Sequence, residues 1–255
     1  MIDFKKKKIV VADMDGTLTL SKQPMDQEMS ELIDQLLEHK EFAVIGGGKY
    51  SLFQTQLVER LAADHDHLSR LYLFPTCATT LYRHNGNGWK QVYAENLEES
   101  EKNRIMGAIE TALKNVDFEM PQTVYGTVIE DRGTQISFSA NGQLAPLEVK
   151  SKWDPDHKKR LKIKEHLNLL IPEFDVKIGG TNTIDITKGG IDKGYGINKI
   201  SEYFGYKINE MFFIGDALYE GGNDYPVKQT GVDSIQVSGP EETKELIKMI
   251  MGRSV

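Results

Sequence analysis

Apolar positions along this chain follow two alternating rhythms. Residues 9–12, "IVVA", form an unbroken apolar run, the pattern of a strand covered on both faces in a parallel sheet. From Pro24 the spacing changes, and Met25, Met29, Leu32, Ile33, Leu36 and Leu37 recur at helical intervals, predicting an amphipathic helix to about Lys40. "FAVIGGG" at 42–48 is a second strand running into three glycines, and "YSLFQTQLVERLAAD" at 50–64 reads as the next helix. "LYLF" at 71–74 is a further strand, and 79–94 reads as a hairpin around its Asn-Gly steps. Alternating strands and helices predict an α/β fold with a Rossmann-like parallel sheet, whose ligands gather at the carboxyl ends of the strands.

The rhythm then breaks. Residues 97–116 predict an acidic amphipathic helix, 123–140 two antiparallel strands, 154–171 a helix with Asp154 as N-cap, and 174–180 and 182–187 two more strands. Helices followed by paired strands predict an inserted α+β domain at 89–188, between core segments 1–88 and 189–255. After Lys193 the first rhythm returns: the helix "GYGINKISEYFG" with Gly205 as C-cap, the strand and acidic loop "EMFFIGDALYEGGND" at 210–224, the strand "SIQV" and a helix at 240–251.

Composition narrows the function classes. A formal charge of −7 argues against general nucleic-acid binding, and no apolar run approaches the roughly 18 residues of a membrane span. Cys77, the single cysteine, cannot form an intrachain disulfide, and the expectation is a cytoplasmic protein. The lysines at 5–8 read as a solvated lead-in, "HKKR" at 157–160 as an exposed helix face, and His65 and His67 as solvated linker residues.

The chemistry concentrates at predicted strand ends. "ADMDGTLTL" at 12–20 has the Asp-Gly step of a tight hairpin. Its alternative, a strand end, brings Asp13 and Asp15 together with Lys193, Asp216 and Asp224. Carboxylates converging from separate strands require a positive charge between them, and Mg²⁺ is the economical choice. The expected metal residues are Asp13, Asp15, Asp216 and Asp224. Asp13 is then suited to attack phosphorus, Asp15 to protonate the leaving alkoxide, and Lys193 to hold the phosphoryl oxygens. The amides of Gly46, Gly47 and Gly48 are the expected phosphate cradle.

This ordered set resembles the haloacid dehalogenase superfamily of phosphotransferases, whose DxDGT signature stands here at residues 13–17, with Lys193 and Asp216/Asp224 at its later motifs. The insert resembles the type II cap of that superfamily. "GDALYEGGNDYPV", "VIGGG", "FP" at 74–75 and Arg132, Thr183 and Asp185 are similar to eukaryotic-type phosphomannomutases. That resemblance implies a metal held by Asp13, the Asp15 carbonyl and Asp216, with Asp224 steadying the site. It also implies substrate contacts in the cap from Arg132, Gln143, Thr183 and Asp185, and a monomer or cap-mediated homodimer. Tyr125 and Gln143 stand where the family carries clamp arginines, and Gly48 where it carries serine. The first expectation is therefore a Mg²⁺-dependent phosphomonoesterase acting on a small sugar phosphate. The alternative is a hexose-phosphate mutase, and a third reading is a catalytically idle sugar-phosphate binder.

Overall fold

The structure, a computed structural model, describes residues 2–20 and 23–252. The chain begins with β1 (Ile9–Asp13), α1 (Gln27–Leu37), β2 (Glu41–Ile45), α2 (Tyr50–Gln56), β3 (Leu71–Phe74), β4 (Thr80–His84) and β5 (Trp89–Ala94). Next come α3 (Glu99–Asn115), β6 (Ile129–Asp131), β7 (Ile136–Ser139), α4 (Leu147–Trp153), α5 (Lys158–Leu170), β8 (Phe174–Gly179) and β9 (Thr183–Lys188). It ends with α6 (Lys193–Phe204), β10 (Met211–Gly215), α7 (Tyr225–Gln229), β11 (Asp233–Gln236) and α8 (Pro240–Ile250).

Two compact units result, one comprising residues 1–94 and 192–255 and the other residues 95–191. In the first, the sheet order is β11-β10-β1-β2-β3-β4-β5. The first five strands are parallel and the last two antiparallel. Strand residues alternate between two cores. Val10, Ala12, Phe42, Val44, Phe212 and Ile214 pack with α1 and α8 on one face. Ile9, Val11, Ala43, Ile45, Met211 and Phe213 pack with Ile197 and Ile200 of α6 on the other. Both faces are covered, which is why these strands read as continuous apolar runs. The parallel pairing of β1 with both neighbours overturns the hairpin reading of residues 9–20 and leaves Asp13 at a strand end.

The second unit is an antiparallel sheet of order β6-β7-β9-β8. Ile136, Phe138, Ile184, Ile186 and Val176 pack against Ile105 and Ile109 of α3 and Ile163 and Leu167 of α5. The residues between them, Ser137, Ser139, Thr183 and Asp185, alternate onto the other face. The α/β core with an inserted α+β domain is the observed architecture.

Several local expectations are corrected. β5 continues the hairpin turned by Asn85–Gly88 and pairs with β4, so residues 89–94 belong with the core rather than the insert. Residues 189–191 stay with the insert, where Asp175 accepts from the Gly190 amide and Lys177 donates to the Ile191 carbonyl. The helix expected over 50–64 stops at Gln56 and is followed by a 3₁₀ turn at Val58–Arg60. Lys7 is buried and paired with Asp233 at 2.5 Å rather than solvated. His65 and His67 lie in a one-turn helix, His65 stacked on His84. α5 starts at Lys158, not at Pro155, because His157 takes a left-handed conformation with φ +61°. Asp154 still caps it across that loop, accepting from the Lys159 and Arg160 amides. No helix among the described residues is long and apolar enough to cross a membrane.

Arg160, expected on an exposed face, is fully buried with Asp154. Its Nε donates to Asp154 at 2.8 Å, and its Nη1 donates to the carbonyls of Gly179 and Gly180, tying α5 to the turn between β8 and β9. Removing one member of a buried pair leaves the other uncompensated. Arg160→Met is therefore expected to destabilise the insert by about 3–5 kcal/mol, while Arg160→Met with Asp154→Asn, which keeps a capping oxygen for the Lys159 and Arg160 amides, regains part of the loss. Urea unfolding followed by Trp153 fluorescence reads this within the insert, where that indole packs on Phe118. A single variant as stable as the parent contradicts it.

Candidate active site

The centre of the core is built on strand ends. β1 delivers Asp13, and the chain then folds into a tight loop in which the Met14 carbonyl accepts from the amides of Leu18 and Thr19. Gly16 lies in this loop with φ +90°, and a Cβ there would sit 2.5 Å from Asp216 Oδ2. Glycine thus lets the loop pass against the second acidic segment, which follows β10. At the end of β10, a Cβ on Gly215 would lie 2.3 Å from Asp224 Oδ2.

Lys193 opens α6, whose N-cap Asp192 accepts from the Tyr195 amide. Its side chain is buried, with Nζ 2.6 Å from Asp13 Oδ1 and 2.5 Å from Asp224 Oδ1. The second oxygen of Asp224 accepts from the Ala217 amide at 3.0 Å. Asp224 is therefore engaged through both oxygens, orienting Lys193 and folding the loop after β10. Asp15 is half-buried within the loop after β1.

Electrostatics follow from this packing. Burial raises the Asp13 pKa well above the ordinary carboxylate range, and repulsion from Asp224 and Asp216 adds to it against the attraction of Lys193. Burial, then Asp224, likewise raises Asp216. Burial works against the Lys193 charge, but Asp13 and Asp224 outweigh it and lift that pKa above the usual lysine value. Carboxylate oxygens of Asp13, Asp216 and Asp224 lie within 4.8 Å of one another. Three carboxylates against one ammonium leave two uncompensated negative charges, a donor set that fits a hard divalent cation. Asp13 and Asp216 are the members with capacity to hold it.

One amide of the glycine loop is already engaged within the sheet. The Gly46 amide donates to the Phe74 carbonyl at 3.2 Å, extending the β2–β3 ladder, so Gly46 is not part of a phosphate cradle. Gly47 and Gly48 lie just beyond it.

Within the insert, the candidate substrate residues converge. Arg132 Nη2 donates to Gln143 Oε1 at 3.4 Å, and its Nη1 lies 3.8 Å from Asp185 Oδ1. Ser137 donates to Asp185 at 2.6 Å, and Thr183 donates to the Gly179 carbonyl at 2.7 Å. Backbone pairing of Tyr125 with Asn141 and Leu144 brings Tyr125 beside Gln143. Sequence reasoning missed Gln135, Ser137 and Lys150. The alternation Gln135, Ser137, Ser139 around Ile136 and Phe138 was the available signal for the first two. Lys150 Nζ donates to the Gln143 carbonyl at 2.8 Å from α4, a long-range placement that no local pattern marks.

The family model described as eukaryotic phosphomannomutase matches residues 29–253. Phosphomannomutase of Saccharomyces cerevisiae is 28% identical over 251 residues, 95% of this chain and 94% of that protein. The Dendrobium officinale phosphomannomutase is 26% identical over 252 residues, 94% of this chain and 93% of that protein. Among solved structures, C-terminally truncated IMP-nucleotidase of Plasmodium falciparum superposes with a TM-score of 0.74 at 18% identity, covering 98% of this chain and 72% of that one. The C-terminal domain of trehalose-6-phosphate phosphatase from C. albicans gives 0.64 at 14% identity, covering 98% and 94%. These two similarities concern the fold.

Protons and a divalent cation compete for the raised carboxylates. In the folded, metal-free chain Asp13 and Asp216 bind protons more tightly than in the unfolded chain, so their contribution to stability falls as pH rises through their folded pKa values. The gain in thermal midpoint on adding Mg²⁺ is therefore expected to grow from about pH 5 to about pH 8, and to be lost in Asp216→Asn. A gain independent of both pH and Asp216 contradicts this site.

Proposed function

We propose that this chain, which belongs to the eukaryotic phosphomannomutase family and has the haloacid dehalogenase fold, moves a phosphoryl group between the 1- and 6-positions of a mannose phosphate through a covalent intermediate on Asp13. Lys193 fixes the rotation of the Asp13 carboxylate through Oδ1 and carries positive charge against the incoming phosphate. Asp13 attacks one phosphorus of a hexose 1,6-bisphosphate, the bond from that phosphorus to the sugar oxygen breaks, and Asp15 protonates the departing alkoxide, leaving a monophosphate and a phosphorylated Asp13. In the second half-reaction Asp15 takes the proton from the free 1- or 6-hydroxyl of a hexose monophosphate, that oxygen bonds to the phosphorus on Asp13, and the bond from phosphorus to Asp13 breaks, regenerating the bisphosphate and the free carboxylate. Asp13 and Asp216 would hold Mg²⁺, with the Asp15 carbonyl, and Asp224 would steady Lys193. The cation supplies charge neutralisation at the phosphoryl oxygens.

What carries isomerisation over hydrolysis is the second cation set, in the insert. A mutase must hold the phosphate that is not reacting, and Arg132 and Lys150 both contact Gln143, through its side chain and its carbonyl respectively. Beside Arg132, the buried Gln135 Nε2 finds no hydrogen-bond partner among the described residues, and its Oε1 is already held by Arg132. Glu130 and Asp185 lie against Arg132 at 2.7 and 3.8 Å, so a phosphate would be met by the Lys150 charge and the spare amide donor rather than by a set of uncompensated cations. Lys150 thus supplies charge where the family clamp is reduced, and the phosphomannomutase relatives agree with this reading better than with the hydrolase first expected.

Hydrolysis remains the second reading, because Tyr125 and Gln143 replace two clamp arginines of the resembling family. Mannose 1-phosphate incubated with Mg²⁺ and a catalytic amount of hexose 1,6-bisphosphate distinguishes them. The expected result is 6-phosphate formation that depends on the bisphosphate, with little free phosphate, and a drop of about tenfold or more in kcat/KM for Lys150→Met. Release of one phosphate per sugar consumed, unchanged by Lys150→Met, favours the phosphatase.

A further inference from the structure

A second backbone feature stands beside the glycine loop. After β3, Thr76, Cys77 and Ala78 have φ of +52°, +59° and +69°, a complete left-handed turn made without a single glycine. L-residues avoid this region, and a β-branched threonine avoids it most. Such a turn persists only where its surroundings over-determine it, and here they do. The Thr76 amide donates to the Gly48 carbonyl and the Cys77 amide to the Gly46 carbonyl, each at 2.9 Å. The Thr76 and Thr79 hydroxyls bond each other. Tyr93 donates its hydroxyl to the Ala78 carbonyl at 2.8 Å. Ala78 also packs against α6, where a Cβ on Gly196 would come within 3.0 Å of the Ala78 Cβ.

We infer that the Thr76–Ala78 turn positions the phosphate loop: it grips the Gly46 and Gly48 carbonyls and thereby aims the amides of Gly47 and Lys49 toward the Asp13 side of the sheet. The direction follows from peptide geometry. In a trans peptide the C=O and the following N–H point opposite ways. The carbonyls of Gly46 and Gly48 face the turn that follows β3, so the amides of Gly47 and Lys49 face away from it. The strand order β3-β2-β1 puts the end of β1, with Asp13, on that opposite side. Through Gly196 the same turn seats the helix that carries Lys193. The strain therefore sits where it can register two phosphate contacts against one another.

This inference rests on Asp13 accepting a phosphoryl group, so the test uses beryllofluoride with Mg²⁺, a mimic of the phosphorylated carboxylate, titrated into the full chain alongside a thermal midpoint. Glycine at position 77 accepts the left-handed conformation but does not enforce it, while asparagine tolerates it and stays restricted. Cys77→Gly is expected to keep its thermal midpoint within about 2 °C yet bind beryllofluoride about tenfold more weakly. Cys77→Asn is expected to bind as the parent does and to melt no lower. Affinity that follows the midpoint in both variants, or a Cys77→Gly chain that binds as tightly as the parent, overturns the positioning role. No complex in the parent itself overturns the phosphoryl-acceptor reading and this inference with it.

Discussion

A single buried ammonium shared by two carboxylates organises the core. Lys193 reaches Asp13 at 2.6 Å and Asp224 at 2.5 Å, and each of the three comes from a different stretch of chain. Buried charges are tolerated only when paired and hydrogen-bonded. Asp13 must therefore end β1, Lys193 must open α6, and Asp224 must close the loop after β10 for the centre to be stable at all. The parallel sheet supplies that convergence, because its carboxyl edge gathers the ends of β1 and β10 side by side. Glycine at 16 and 215 removes the two Cβ atoms that would collide with Asp216 and Asp224.

That ammonium does not balance the site. Burial and repulsion from Asp224 raise the Asp216 pKa, and the attraction of Lys193 only partly offsets them. The cluster of Asp13, Asp216 and Asp224 is a donor set that fits a hard divalent cation. The insert solves a different electrostatic problem within its own sheet. Its apolar face packs on α3 and α5, and its other face gathers Arg132, Ser137, Thr183 and Asp185. Arg132 is shared among Glu130, Gln135 and Gln143, so its direction is set by its neighbours, and Lys150 donates to the Gln143 carbonyl from α4.

Much of this was legible in the sequence, and the reasons are physical. The apolar runs at 9–12 and 211–214 are long enough, and bounded sharply enough by acidic residues, to mark strands covered on both faces. Asp13, Lys193, Asp216 and Asp224 each follow such a strand or open a helix, so their convergence could be argued from topology. Residues whose roles depend on tertiary placement were not legible. Arg160 sits in a basic stretch that looks solvated, yet Asp154 and two carbonyls bury it. Lys7 pairs with Asp233, far away in sequence. Lys150 reads as one more lysine on a charged helix. The left-handed turn at Thr76–Ala78 carries no local signal at all, since none of its residues prefers that conformation. Neighbouring elements impose it.

The account stands on Asp13 as the phosphoryl acceptor. Rapid quenching during turnover of a hexose phosphate, followed by borohydride reduction and peptide mass mapping, tests this directly, because reduction converts a phosphorylated aspartate into homoserine. The account predicts homoserine at position 13 and nowhere else, with none in Asp13→Asn. Turnover with no modified residue, or with the label at Asp15 or Asp216, would contradict it.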